Sequence, residues 1–137
     1  MRQIKILFLL LIIGSVFISC DPYGGFEYWV ENRSDSVIYV LYSYEDNDSI
    51  ILKGLNNGDN LQILQFDTEN GLCDCGIDDL FVYCDTLYIY SDTINKIEIK
   101  KDYRDRSEWT YEKDVTSAIM HAGHNIYKFT IKNEDLK

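Results

Sequence analysis

Apolar and polar residues alternate with a period of two through most of the chain, as residues 26–31 and 61–66 show. This is the period of a β-strand, whose successive side chains point to opposite faces. The segment 36–44 is instead nearly continuous in Val, Ile, Tyr and Leu, which predicts a central strand covered on both faces. The predicted strands are 26–31, 36–44, 50–53, 61–66, 86–90, 94–100, 108–112 and 126–132.

Turn signals separate these strands at short intervals. The sequence Asn56-Asn57-Gly58-Asp59 contains an Asn-Gly pair, whose residues tolerate a positive φ. Two segments also fit a short helix: 78–84, capped by Asp78 or Asp79, and 114–121, capped by Asp114. Neither is long enough to cover a sheet. The sequence therefore predicts an all-β fold, an antiparallel β-sandwich (Ig-like) of about 7–8 strands, with a small open barrel as the alternative.

Composition agrees with one folded domain. The chain has 137 residues, of which 46% are hydrophobic, so it can bury a core. Its formal net charge is −10. Nucleic-acid binders need clustered Lys and Arg, so no nucleic-acid partner is expected.

The N-terminus has the features of an export signal. Arg2 and Lys5 precede an apolar run over residues 6–18. As a helix this run would reach about 20 Å, short of the ~30 Å hydrocarbon core of a bilayer. A cleaved signal peptide is therefore favoured over a spanning helix.

The run ends in Phe17-Ile18-Ser19-Cys20, which resembles the bacterial lipobox, where lipoprotein signal peptidase cuts. The resemblance implies that residues 1–19 are removed and that Cys20 carries the acyl chains. Residues 20–25 would then form a short tether to the domain at 26–137. Two or three long acyl chains hold a protein on a membrane essentially permanently. We therefore expect a lipid-anchored protein of the bacterial cell envelope, at the outer membrane.

The body also has a familiar order of elements. The stretches ENRSDSVIYVLYSY, LKGLNNGDNLQIL, CDTLYIYSDTINKIEIKKD and NIYKFTIKNEDL follow one another. In this order the chain resembles a diffuse group of small Bacteroidota lipoproteins. The resemblance implies an envelope location and an all-β fold, and it implies no activity.

Three cysteines remain after lipidation. Neighbouring cysteines in Cys-x-Cys pair poorly, so a disulfide would join Cys75 to Cys84, or Cys73 to Cys84, and leave one thiol over. An exported location permits this bond. Three free thiols are one alternative. A zinc site with His121 or His124 as the fourth ligand is another, although the paired CxxC spacing of strong zinc motifs is absent.

Acidic and aromatic residues leave further binding chemistry open. Calcium ligands are available in the loop 71–85, with Asp74, Asp78, Asp79 and Asp85, and in the cluster 45–48. No EF-hand spacing is present, so a solvated acidic surface is favoured and no metal is assigned. Aromatic residues make up 14% of the chain and include 11 Tyr. They are compatible with a glycan-binding face, although strand packing alone accounts for them.

No enzyme signature is found: P-loop, dinucleotide fingerprint, G-x-S-x-G and H-E-x-x-H are all absent from the sequence. We therefore predict no enzyme and no cofactor. The predicted function is that of a lipid-anchored envelope protein with a non-catalytic binding or structural role and an unknown glycan or protein partner. The alternatives are a glycan- or calcium-binding surface module and a minor envelope hydrolase.

Four tripeptides with an Asp, a Ser or Thr and an aliphatic residue resemble the O-glycosylation pattern of Bacteroidota envelope proteins. Ser49 and Thr93 are the preferred acceptors because their surroundings are the most polar. Ser36 and Thr86 lead into apolar strands and are expected to be less accessible. Asp beside Ser or Thr is also common turn chemistry. The alternative is therefore that all four are turns that precede strands.

Overall fold

The computed structural model describes residues 24–44, 47–68, 77–117 and 122–137, and these form a β-rich domain. It has one short helix, α1 (Ile77–Tyr83), and 3₁₀ turns at Arg106–Glu108 and Asn133–Asp135. No helix within these ranges is long and apolar enough to cross a membrane. The strands are β1 (Gly24–Asn32), β2 (Ile38–Tyr44), β3 (Asn47–Leu55), β4 (Asn60–Thr68), β5 (Thr86–Asp92), β6 (Ile97–Glu98), β7 (Thr110–Ser117) and β8 (Ala122–Ile131).

The strands form two four-stranded sheets. The first sheet has the order β4-β1-β8-β7, and the second has the order β3-β2-β5-β6. The predicted all-β sandwich of about eight strands is confirmed. One pairing differs from the expected antiparallel pattern, since β1 lies parallel to β8. A parallel pair requires a long connection, and most of the domain separates these two strands in the chain.

The core lies between the sheets and is rich in aromatic rings. On the first sheet, alternate residues of β1 and β8 point inward and are fully buried, as at Phe26, Tyr28 and Phe129. Tyr28 and Tyr127 stack with ring centroids 5.3 Å apart. The second sheet contributes its own inward set to the same cluster: Ile38, Val40, Tyr42, Leu55, Leu87 and Ile89. Burial of these rings and aliphatic groups is the main stabilising contribution.

The predicted Asn-Gly turn is present and is locked by side chains. Asp59 Oδ2 accepts hydrogen bonds from Asn56 N at 2.8 Å and from Asn56 Nδ2 at 3.1 Å. Gly58 adopts a φ of +89°, which favours glycine. Its N–H donates to the Asn32 carbonyl at 2.7 Å, so the turn is joined to the end of β1.

Several predicted boundaries need correction. The helix proposed for 114–121 is wrong in the part that the structure describes, because Asp114 lies within β7 and pairs with His124 of β8. β-branched Val115 and the glycine opposite it suit this hairpin. β1 begins at Gly24, two residues before the predicted start of the domain at residue 26. The predicted strand 94–100 is reduced to Ile97–Glu98, because residues 93–96 form a turn.

The helix predicted at 78–84 is confirmed, beginning and ending one residue earlier as α1. Leu80 from this helix is fully buried in the core. Tyr83 contacts Phe66 of β4 with ring centroids 5.0 Å apart. α1 therefore packs against the core and against the first sheet.

Candidate functional site

The residues predicted to carry modification lie in different parts of the chain. Cys20, Cys73 and Cys75 fall outside the described residues. Cys84 follows α1 and is a buried free cysteine, whose thiol donates to the Thr86 carbonyl at 3.1 Å. Burial raises the pKa of this thiol above its usual 9.0, although backbone groups of Ser43 and Thr86 oppose the shift. The disulfide from Cys84 to Cys73 or Cys75 stays a prediction.

The metal ligands considered from sequence are not assembled in the described ranges, where no group of three His, Cys, Asp or Glu side chains is placed to hold an ion. His121, Asp74 and part of the cluster 45–48 lie outside those ranges. His124 is on the outer face of the first sheet, and its Nδ1 is 2.8 Å from Glu27 Oε1. That contact is at ion-pair distance, without the alignment of a hydrogen bond.

Two of the four candidate glycosylation positions, Thr93 and Ser36, differ in exposure from what the sequence predicts. Ser49 is exposed, but it lies inside β3 rather than before a strand. Thr93 is half-buried and follows β5, in a turn closed by Asp92. Ser36 is exposed, contrary to expectation, and Thr86 is half-buried. Modification at Ser49 and Thr93 stays a prediction.

The turn at Thr93 shows why its exposure was misjudged. Asp92 Oδ1 accepts from the N–H of Ile94 at 2.8 Å and from the N–H of Asn95 at 3.2 Å. Asn95 Nδ2 donates to Asp92 Oδ2 at 2.6 Å. These bonds lower the pKa of the Asp92 carboxyl. They also hold the polar residues around Thr93 close to the backbone, so a polar sequence is compact here rather than extended into solvent.

The outer face of the second sheet is apolar and aromatic. Register places Tyr39 opposite Tyr90, and Leu41 opposite both Tyr88 and Leu52. Their neighbours along the strands point into the core, so these side chains share the opposite face. Leu52 is 52% exposed and Tyr88 is 37% exposed. We call this surface the tyrosine face, and its members are Val37, Tyr39, Leu41, Ile50, Leu52, Tyr88 and Tyr90.

The rings of the tyrosine face are ordered. Tyr88 and Tyr90 lie two residues apart on β5, with centroids 6.0 Å apart and planes 10° apart. Gly54 of β3 lies opposite Tyr39, and an added Cβ there would be 3.4 Å from the Tyr39 ring. The glycine therefore leaves room for this ring to lie against the strand. Nothing in the described ranges covers these rings completely.

A cavity of 220 Å³ lies beside the tyrosine face, and Tyr88 and Arg104 line it. Tyr103, also in its lining, is 2% exposed, and its hydroxyl has no hydrogen-bond partner in the part of the chain that the structure describes. Burial raises the pKa of this hydroxyl to about 12, although the nearby Arg104 guanidinium opposes the shift. The remaining lining residues are Phe81, Cys84, Asp85, Thr86 and Leu87.

The outer face of the first sheet carries a second groove of 220 Å³ around Trp29. Its polar groups are engaged with one another. Trp29 Nε1 donates to Glu27 Oε2 at 2.9 Å, and Lys128 Nζ donates to Glu112 Oε2 at 2.6 Å. Such paired side chains are typical of a solvated sheet face, so this groove is the weaker candidate.

A wider depression of 330 Å³ lies near the C-terminal 3₁₀ turn. Lys101 Nζ donates to the Thr130 carbonyl at 3.0 Å and is 3.5 Å from Glu108 Oε2. Lys132 and Glu134 approach to 3.9 Å. Most of the charges that line this depression are therefore paired with one another.

The tyrosine face was not predicted from the sequence, because the continuous apolar run 36–44 indicated a strand, β2, covered on both sides. The available signal was the tyrosine content, since Tyr39, Tyr88 and Tyr90 all occupy outward positions of two neighbouring strands.

Comparison of the chain with protein families, curated proteins and solved structures finds no match in any of the three.

Proposed function

We propose that this chain is a lipid-anchored protein of the bacterial cell envelope that binds carbohydrate without catalysis. The observation that carries the proposal is the tyrosine face. Three tyrosine rings occupy adjacent outward positions on β2 and β5, at the centre of the second sheet. Aromatic rings of this kind stack on the C–H faces of sugars, while their hydroxyls stay available for hydrogen bonds.

The geometry of the rings supports a sugar ligand. The Tyr88 and Tyr90 rings are adjacent and their planes are near-parallel, so both belong to one aromatic patch. Polar groups border it, as sugar hydroxyls require. Glu98 of β6 lies opposite Tyr90, and the Arg104 guanidinium carbon is 5.9 Å from the Tyr88 ring centroid. Glu98 supplies an acceptor and Arg104 supplies donors.

A non-catalytic role is supported by the surroundings of Cys84. The groups that act on its sulfur are the backbones of Ser43 and Thr86 and the charge of Asp85. A catalytic cysteine needs a lowered pKa and a neighbouring base, whereas burial keeps this thiol protonated.

The anchor is supported by the lipobox at Cys20 and by the short distance to the fold. β1 begins at Gly24, so residues 21–23 separate the lipidated cysteine from the sheet. Three residues reach at most about 10 Å. The domain would therefore stay next to the membrane.

The anchor is tested by Cys20→Ala. We expect the variant to keep its leader and to lack acyl chains, so its intact mass changes and it no longer partitions into detergent as the processed protein does. Ser19→Ala is the control, because a small residue before the cysteine preserves the site. An unchanged mature mass in Cys20→Ala would remove the lipoprotein assignment.

Binding is tested on a glycan array with the detergent-solubilised protein. Tyr39→Leu and Tyr90→Leu keep apolar area and remove a ring, and each should weaken binding about tenfold. Trp29→Leu, on the outer face of the other sheet, is the control and should bind as the wild type does. The melting temperature of each variant checks that the fold is kept.

Three results would contradict the carbohydrate proposal. In the first, no glycan binds the wild-type protein. In the second, Trp29→Leu abolishes binding and the tyrosine variants do not. In the third, the tyrosine variants abolish self-association in sedimentation equilibrium, which would identify the tyrosine face as an interface between protein chains.

A further inference from the structure

We propose that the cavity beside Tyr88 is a subsite for a sugar substituent that carries an acceptor oxygen, either an acetamido carbonyl or a carboxylate. The sugar ring would lie on the tyrosine face and the substituent would enter the cavity. This inference rests on the proposed carbohydrate function and adds the class of sugar to it. We call the cavity the Tyr103 cavity.

The buried hydroxyl of Tyr103 is the first reason. It is almost completely removed from solvent, and no group in the described ranges is aligned for a hydrogen bond with it, although the Arg104 guanidinium acts on it and opposes the rise of its pKa. A buried polar group without a partner is costly, so such groups are rare and call for an explanation. The hydroxyl is also held neutral, because its pKa is raised to about 12. It is therefore a hydrogen-bond donor at every physiological pH.

Arg104 is the second reason. Its guanidinium carbon lies 4.4 Å from the Tyr103 ring centroid and 5.9 Å from the Tyr88 ring centroid. The cation thus sits next to both the buried hydroxyl and a ring of the tyrosine face. Arginine has five N–H donors and no acceptor. Two neighbouring donor groups select a ligand group that accepts, and a carbonyl or carboxylate oxygen is the group that sugars commonly carry.

The size and walls of the Tyr103 cavity fit such a substituent. Its 220 Å³ exceeds the roughly 30 Å³ that one water occupies in the liquid several-fold. Phe81, Leu87 and the Cys84 thiol supply apolar wall, suited to the methyl of an acetyl group. Asp85 adds one acceptor for an amide N–H. An unsubstituted sugar would leave all of these groups unused.

The experiment compares three trisaccharides by isothermal titration calorimetry on the detergent-solubilised protein. Tri-N-acetylchitotriose carries acetamido groups, trigalacturonate carries carboxylates, and cellotriose carries neither. We expect one substituted ligand to bind about tenfold more tightly than cellotriose. The ligand with this advantage identifies the substituent.

The variant Tyr103→Phe removes only the hydroxyl and should abolish that advantage. Its affinity for cellotriose should be unchanged, and its melting temperature should not fall, because a buried hydroxyl without a partner is lost. Tyr111→Phe is the control. It also loses a tyrosine hydroxyl, one that donates to Asn125 Oδ1 at 2.8 Å on the first sheet, and it should keep the full preference.

The outcomes separate the two proposals. If cellotriose binds, Tyr90→Leu abolishes that binding and the substituted ligands have no advantage, the Tyr103 cavity is not a subsite and the carbohydrate function stands. An advantage that survives Tyr103→Phe also overturns the subsite. If no trisaccharide binds the wild type, or if Tyr90→Leu affects none of them, both proposals are wrong.

Discussion

Asn32 is the buried polar residue that joins the two sheets. It ends β1 in the first sheet and is fully buried. Its Nδ2 donates to the carbonyls of Ser36 at 2.7 Å and Leu55 at 2.8 Å. Its Oδ1 accepts from Ser34 N at 2.9 Å and Ser34 Oγ at 2.7 Å. The side-chain amide of Asn32 therefore supplies hydrogen-bond partners to backbone groups where the chain crosses from β1 to β2.

Replacing Asn32 with Ala should lower the free energy of unfolding by about 2 to 4 kcal/mol, because it removes the side-chain hydrogen bonds to the buried Leu55 carbonyl and to the Ser34 N–H. Ser34 Oγ keeps its bond to the Ser36 carbonyl at 3.1 Å. Urea unfolding measures the change. Asn133→Ala is the matched control, since Asn133 also bonds across the chain, to Asp35, but is exposed. It should cost less than about 1 kcal/mol. Equal losses in the two variants would show that burial does not set the cost.

Neither Asn32 nor Tyr103 could be identified from the sequence. An asparagine after a strand is common turn chemistry, and the importance of this one comes from Leu55, which is distant in the chain and brought close by the fold. The same holds for Tyr103, since the pKa of a tyrosine follows its burial and neighbouring charges. The Asn56–Asp59 turn was predictable because all of its closing bonds are local.

At the level of elements, strands with a regular alternation were predicted and β7 was partly missed. β1 and β8 are central in their sheet, so each inward residue is buried and the period of two is complete. β7 is an edge strand, where Lys113 takes an inward position opposite Asn125 and Val115 is half exposed. An edge strand does not need a complete apolar face, so its pattern resembled that of a short helix.

The β7–β8 hairpin should depend on one glycine. Gly123 has a φ of +156°, and a Cβ there would collide with the Asp114 carbonyl. Gly123→Ala should therefore lower the free energy of unfolding by about 2 to 4 kcal/mol. Gly58→Ala is the control, because its φ is also positive but no atom lies within 4 Å of the added Cβ. It should cost about 1 kcal/mol. If Gly58→Ala lowers the free energy of unfolding as much as Gly123→Ala does, the collision with the Asp114 carbonyl is not what makes Gly123 necessary.

For the whole molecule, the sequence predicted two packed sheets but not which outer face would be available to a ligand. Alternation separates the two faces of each strand and does not say what covers them. The outer face of the first sheet is polar and internally paired around Trp29. The outer face of the second sheet keeps apolar rings in contact with solvent, at a cost in hydration. The proposed binding role would account for that cost.

The free energy of unfolding should depend on pH through the raised pKa of the Tyr103 hydroxyl. The folded state raises the pKa of Tyr103 from 10.0 to about 12. A raised pKa means that the folded state binds the proton more tightly, so this contribution is complete below pH 10 and is lost as the pH rises through about 12. Two pKa units correspond to at most about 2.7 kcal/mol. Solvent in the adjoining cavity screens the charge of the ionised form, so we expect about half of that.

Urea unfolding at pH 8, 10 and 11.5 measures this loss as the difference between the wild type and Tyr103→Phe. The other tyrosines and the lysines titrate in both proteins, so their effects cancel in the difference. The variant should lose less stability than the wild type between pH 10 and 11.5. If Tyr103→Phe and the wild type lose stability in parallel, folding does not raise the pKa of Tyr103, and its hydroxyl is not removed from water as the sugar subsite requires.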